Sequence, residues 1–112
     1  MSEIEKLYKN CGFVETIKHY GCHEHRVKDI PFTAEKQIEL IKWLVKHRFN
    51  FMVYELTEKD FTFEVINKRL KQTSQFVSLS ENNFEEGLAK ILNCFWQSLT
   101  EEERQKIKEI LE

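Results

Sequence analysis

The chain has little of what most catalytic and nucleotide-binding motifs require. Its 112 residues hold three glycines, at positions 12, 21 and 87, and one proline. No G-x-G-x-x-G fingerprint or phosphate-cradling P-loop can be assembled from glycines so far apart. A G-x-S-x-G nucleophile elbow and an H-E-x-x-H zinc pair are missing too; His23-Glu24-His25 is not that motif. Long apolar runs are lacking. The longest, Phe51 to Tyr54, is four residues, whereas a membrane-spanning helix needs about 20. The N-terminal residues Met1-Ser2-Glu3-Ile4-Glu5 offer no basic and then apolar segment of the secretory kind. With three cysteines, an odd number, the expectation is reduced thiols in a cytoplasmic protein. An excess of charge of either sign is absent as well. Seventeen basic residues against nineteen acidic ones leave a net charge of −2. A general DNA binder draws most of its affinity from a basic surplus, and a DNA mimic needs a large acidic one.

What is present is material for a core. Nine Phe, two Trp and three Tyr supply a large apolar area, worth ~25 cal/mol per Å2 once buried. The absence of repeats, low-complexity stretches and linkers predicts one domain over 1–112, with a less regular N-terminal extension over 1–31. Ser2 followed by Glu5 fits a capping box, and Ile4, Leu7 and Tyr8 fall on one helical face, so a short helix should end near 10–12. Residues 12–32, punctuated by Gly12, Gly21 and Pro31, read as irregular. Thr33 is a good N-cap for a helix over about 34–47. Its apolar stripe is Ala34, Ile38, Ile41 and Val45, widened by Leu40, Trp43 and Leu44.

The period then changes. Phe49, Phe51 and Val53 alternate with Asn50, Met52 and Tyr54; Phe61, Phe63 and Val65 alternate with Thr62, Glu64 and Ile66. With the polar run Thr57 to Asp60 between them, they predict an antiparallel hairpin, and Gln75 to Leu79 a third strand. Thr62, Glu64 and Lys68 suggest that one sheet face is partly wet. Asn83 opens the strongest amphipathic pattern, Phe84, Leu88, Ile91, Leu92, Phe95 and Leu99, and Cys94 on that helix reads as a packing residue. A break near 99 and a second start at Thr100 with Glu103 give a final helix. The predicted class is α+β: a small antiparallel sheet of two or three strands packed by helices, in the order helix, irregular segment, helix, strands, helix, helix.

Two stretches, Phe32-Thr33-Ala34-Glu35-Lys36-Gln37-Ile38-Glu39-Leu40-Ile41-Lys42-Trp43-Leu44 and Phe84-Glu85-Glu86-Gly87-Leu88-Ala89 with Phe95-Trp96-Gln97-Ser98-Leu99-Thr100-Glu101-Glu102-Glu103, resemble small phage and prophage proteins of the ABA-sandwich type. The likeness covers about residues 32–112. It implies a mobile-element origin and assigns no catalytic residue.

Two functional readings follow. In the first, the protein is a non-enzymatic phage-type accessory protein that needs no cofactor. It binds a host protein, in the most concrete case as an inhibitor of a host defence system in the manner of an anti-CRISPR protein. Its contact is expected on the rim of the predicted hairpin, at Tyr54, Lys59, Lys68 and Arg69. In the second, the cluster Cys11, His19, Cys22, His23 and His25 binds zinc, because tetrahedral zinc takes thiolates and imidazoles. The protein is then a small zinc- or nucleic-acid-binding regulator, with Cys11, Cys22 and His25 as the ligands of choice. Residues 42–71, where Lys42, Lys46, Arg48, Lys59, Lys68, Arg69 and Lys71 outnumber four acidic residues by three beside Tyr54 and Phe63, could also contact nucleic acid, though that is the less favoured partner. A homodimer is a further alternative. No membrane partner is expected.

Overall fold

The computed structural model describes residues 2–55, 58, 60–69, 75–81 and 83–112, with backbone alone described for residue 55 and for 75–81. Among the described residues there are four helices and two antiparallel sheets. Helix α1 is Glu3–Asn10, strands β1 and β2 are Val14–His19 and Cys22–Val27, and helix α2 is Ala34–Lys46. Strands β3 (Phe49–Glu55), β4 (Phe61–Asn67) and β5 (Gln75–Glu81) form a three-stranded sheet with β4 in the middle. Helices α3 (Phe84–Phe95) and α4 (Glu101–Leu111) follow, separated by a 3-10 turn over Trp96–Ser98. The α+β class and the three-stranded sheet are as the sequence predicts.

Capping chemistry sets the helix starts. Ser2, Thr33, Asn83 and Thr100 each turn a side-chain oxygen onto a backbone N–H three residues on, at Glu5, Lys36, Glu86 and Glu103. Such a cap is worth about 1 kcal/mol. At Thr100 the box closes in both directions, since Thr100 N donates to Glu103 Oε1 at 2.9 Å. The break before α4 has a physical cause: Leu99 is extended (ψ 145°), which frees Thr100 for its cap.

The core lies between the inner sheet face and the helices. It contains Phe49, Phe63 and Val65 of the sheet, Leu40, Trp43 and Leu44 of α2, Leu88, Ile91, Leu92 and Phe95 of α3, and Ile107 and Leu111 of α4. Both tryptophans are buried. The core also takes Leu7 and Tyr8 of α1, with Cys11 and Phe13 after it. Helix α1 lies against α3, where Asn93 Nδ2 donates to Glu3 O at 2.9 Å and Glu3 N donates to Glu86 Oε2 at 2.8 Å.

Three sequence expectations need correction. The segment 12–32, read as irregular, contains the β1–β2 hairpin, paired from Val14↔Val27 to His19↔Cys22. It was hidden because neither strand buries a full face, so the apolar alternation that marks a strand never develops. Its signal is local: Tyr20 and Gly21 both have positive φ, 48° and 79°, the geometry of a two-residue type I′ turn. Second, Cys94 is exposed rather than packed. Third, the stripe assigned to α2 is rotated. Gln37, Leu40, Trp43 and Leu44 are buried, while Ile38 and Val45 face outward.

Candidate functional site

The rotation of α2 matters because it leaves apolar side chains in solvent. Ile38 is 52% exposed and Val45, two turns further along the same face, 57%. Strand β3 follows α2 after two residues, His47 and Arg48. Arg48 takes a left-handed conformation (φ 68°) just past the helix, a place glycine commonly fills. Its carbonyl accepts from Lys68 N at 3.0 Å, which holds the start of β3 against the end of β4. This sharp reversal brings the outer face of β3 beside the last turn of α2.

On β3 the pleat sends Phe49, Phe51 and Val53 inward and Asn50, Met52 and Tyr54 outward. Met52 is 55% exposed and Tyr54 38%. Val45, Phe51, Met52 and Ile66 line a groove of about 320 Å3 in which Glu64 is the sole charged residue. The groove follows β3, an edge strand paired with β4 on one side, among the described residues. An edge strand offers unpaired N–H and C=O groups to an incoming chain. Apolar side chains along such an edge give that chain something to bury. Larger apolar patches on a surface mark interaction sites, whereas isolated apolar residues do not.

The residues expected at the contact are not one cluster. Tyr54 lies at the far end of β3, opposite Thr62, and is exposed on the same strand face as Met52. Its hydroxyl donates to Glu64 Oε1 at 3.0 Å, and that bond is the main reason its pKa is raised. Lys68 and Arg69 follow Asn67, which pairs with Phe49 at the opposite end of the ladder, about 16 Å away at ~3.3 Å per residue. Lys68 is exposed. Arg69 is engaged in the fold: Nη2 donates to Glu103 Oε1 at 2.7 Å, and the guanidinium lies 5.6 Å from the Phe49 ring centroid. Burial alone would raise the carboxyl of Glu103. The backbone N–H of Thr100 and the Arg69 guanidinium outweigh it and hold that carboxyl below its ordinary value. Lys59 lies outside the described residues.

The metal set Cys11, Cys22 and His25 does not come together either. Cys11 is buried at the base of the β1–β2 hairpin, and burial pushes its thiol up to about 12, against the pull of Lys108. A ligand to zinc must be a thiolate, so this environment opposes coordination. Cys22 sits at the hairpin tip, about 16 Å from the base. His25 projects from the face opposite to Cys22, because the two lie three positions apart, an odd offset, on one strand. Its Nδ1 lies 3.0 Å from Thr16 Oγ1. Among the described residues, no group of three or more His, Cys, Asp or Glu side chains is placed to hold a metal ion.

The basic surplus over 42–71 is partly neutralised. Lys42 pairs with Glu39 at 3.6 Å and Arg69 with Glu103; Lys59 and Lys71 lie outside the described residues. Another groove, about 580 Å3, runs between the end of α2 and α4. Its wall is Trp43 with His47 stacked on it at 4.2 Å, and its charges include the Lys106–Glu109 pair at 3.7 Å. No helix among the described residues is long and apolar enough to cross a membrane.

The surface along α2 and β3 is therefore the feature of the fold best equipped for recognition. The residues that sequence reasoning missed are Ile38, Val45, Met52 and Ile66. For Ile38 and Val45 the signal was present: α2 carries more apolar residues than one helical face can bury. Comparison with protein-family models, with curated proteins and with solved structures returned no match to this chain.

Proposed function

We propose that the protein is a non-enzymatic accessory protein of the phage or prophage type that works by binding a host protein. Inhibition of a host defence system, in the manner of an anti-CRISPR protein, is the most concrete form of this role. One observation carries the binding reading: Val45 and Met52, both more than half exposed, line one groove along the edge strand β3. The resemblance of residues 32–112 to small phage proteins supplies the biological setting. The partner would add an extended segment along β3 and bury its own apolar residues against Val45 and Met52. Such contact would combine main-chain hydrogen bonds with side-chain specificity.

Met52→Lys separates binding from folding. Position 52 faces Glu64 across the ladder, so a lysine there gains an opposite-charge partner and leaves the sheet intact. It also places an ammonium at the centre of the surface. The expected result is a defined host protein retained by the immobilised wild-type chain and weakened at least about tenfold, ~1.4 kcal/mol, by Met52→Lys. Circular dichroism of the variant should match the wild type. Equal retention by both would overturn the assignment of the surface, and retention of nothing by either would overturn protein binding.

A further inference from the structure

The geometry points to a zinc site shared between two copies of this chain, built from His19 and Cys22 of each. These two residues flank the Tyr20-Gly21 turn and pair directly across the β1–β2 ladder. Directly opposed residues on one face have Cβ atoms about 4.5–5.5 Å apart. Two side chains so placed can converge on one ion at bond lengths of ~2.3 Å to sulfur and ~2.0–2.1 Å to nitrogen. The alternation of the strands puts Lys18 and His23 on the other face, so no cation from the neighbouring pair competes for the space. A thiolate with an imidazole is a borderline-soft set, which selects zinc over calcium or magnesium.

The surroundings favour a site between molecules. Every residue from Lys18 to Arg26 is exposed, and Tyr20, next to the pair, is 93% exposed. The hairpin tip thus stands clear of its own chain. A structural zinc site closes with four ligands, and this chain places two here. A second copy, related by a twofold axis through the ion, supplies the same two and completes a Cys2His2 tetrahedron. This is the self-complementary contact that twofold symmetry requires. The ring of His19 already packs against Tyr20 at 4.3 Å between centroids, so the two tyrosines would flank the joined tips.

The test uses the full chain, purified metal-free and kept in a phosphine reductant to prevent a Cys22–Cys22 disulfide. Zinc chloride is titrated while bound metal and molar mass are read together. The expected endpoint is one zinc per two chains, with the mass rising from 13.6 kDa to twice that value and returning on chelation. Cobalt(II) in place of zinc should show thiolate charge-transfer and tetrahedral ligand-field bands. His19→Ala and Cys22→Ser should each abolish both readouts, whereas His25→Ala should leave them unchanged. One zinc per chain with no change in mass, zinc-linked dimers that survive Cys22→Ser, or no zinc uptake would each overturn the proposal. All three substitutions fall on an exposed hairpin, so loss of the fold would not confuse the result.

Discussion

Phe49→Ala is expected to destabilise the protein by about 3–5 kcal/mol, the range for deleting a fully buried aromatic ring. Phe49 is 1% exposed at the start of β3 and joins three parts of the fold. Its ring meets Phe95 of α3 at 5.1 Å and Trp43 of α2 at 6.4 Å, and the Arg69 guanidinium lies over it at 5.6 Å. Truncation would open a cavity among groups that cannot all collapse into it. Trp43 is held by its stack with His47, whose Nδ1 lies 2.8 Å from the Trp43 carbonyl, and Arg69 is tied to Glu103. Total stability for a domain is on the order of 5–15 kcal/mol, so the loss is a large fraction. Urea denaturation would show it as a lower midpoint at unchanged slope. A loss below about 1 kcal/mol would mean that Phe49 does not join the helices to the sheet as described.

Gly87→Ala should also destabilise, against the ordinary preference of helices for alanine. In the interior of a helix this change gains about 1 kcal/mol. Gly87, however, lies on α3 directly over the ring of Phe63, and an added Cβ would collide with three of its carbons. Phe63 is fully buried, with Phe51 at 6.3 Å and Phe84 at 5.5 Å, so its ring has nowhere to retreat. Overpacking of this kind costs about 1–3 kcal/mol and occasionally more, and the clash outweighs the propensity gain. The net expectation is a loss of up to about 2 kcal/mol. The mechanism predicts non-additivity: in a Phe63→Leu background the same change should cost less, with a coupling of at least about 0.5 kcal/mol. A Gly87→Ala protein more stable than wild type would contradict the close approach of α3 to the sheet.

These contacts also indicate what a reader of the sequence could reach. Where a residue's role depends on its near neighbours, the reading succeeds. Thr33, Asn83 and Thr100 cap the helices they precede, and the alternation of Phe49, Phe51 and Val53 against Phe61, Phe63 and Val65 pairs as an antiparallel ladder. Where a role depends on what a face meets in space, it fails. Ile38 and Val45 fit the apolar stripe of α2 as well as Leu40 and Leu44 do, and only the sheet decides which set is buried. The β1–β2 hairpin lacked an apolar alternation to reveal it, though Tyr20-Gly21 marks its turn. The same principle separates the metal candidates. Spacing along the chain grouped Cys11, Cys22 and His25, whereas cross-strand register opposes His19 to Cys22. Of the four residues expected at the contact, Tyr54 is exposed at the far end of β3, Arg69 is bound up with Glu103 and Phe49, Lys68 stands at the other end of the ladder, and Lys59 lies outside the described residues.

The most direct test of the binding surface is site-specific photocrosslinking in the host cell. A photoreactive phenylalanine analogue at position 52 would sit on the surface, and the same analogue at position 109, on the exposed side of α4, would serve as the comparison. The account predicts a discrete adduct with one host protein from position 52 and none from position 109. An adduct from position 109 with none from position 52 would contradict it.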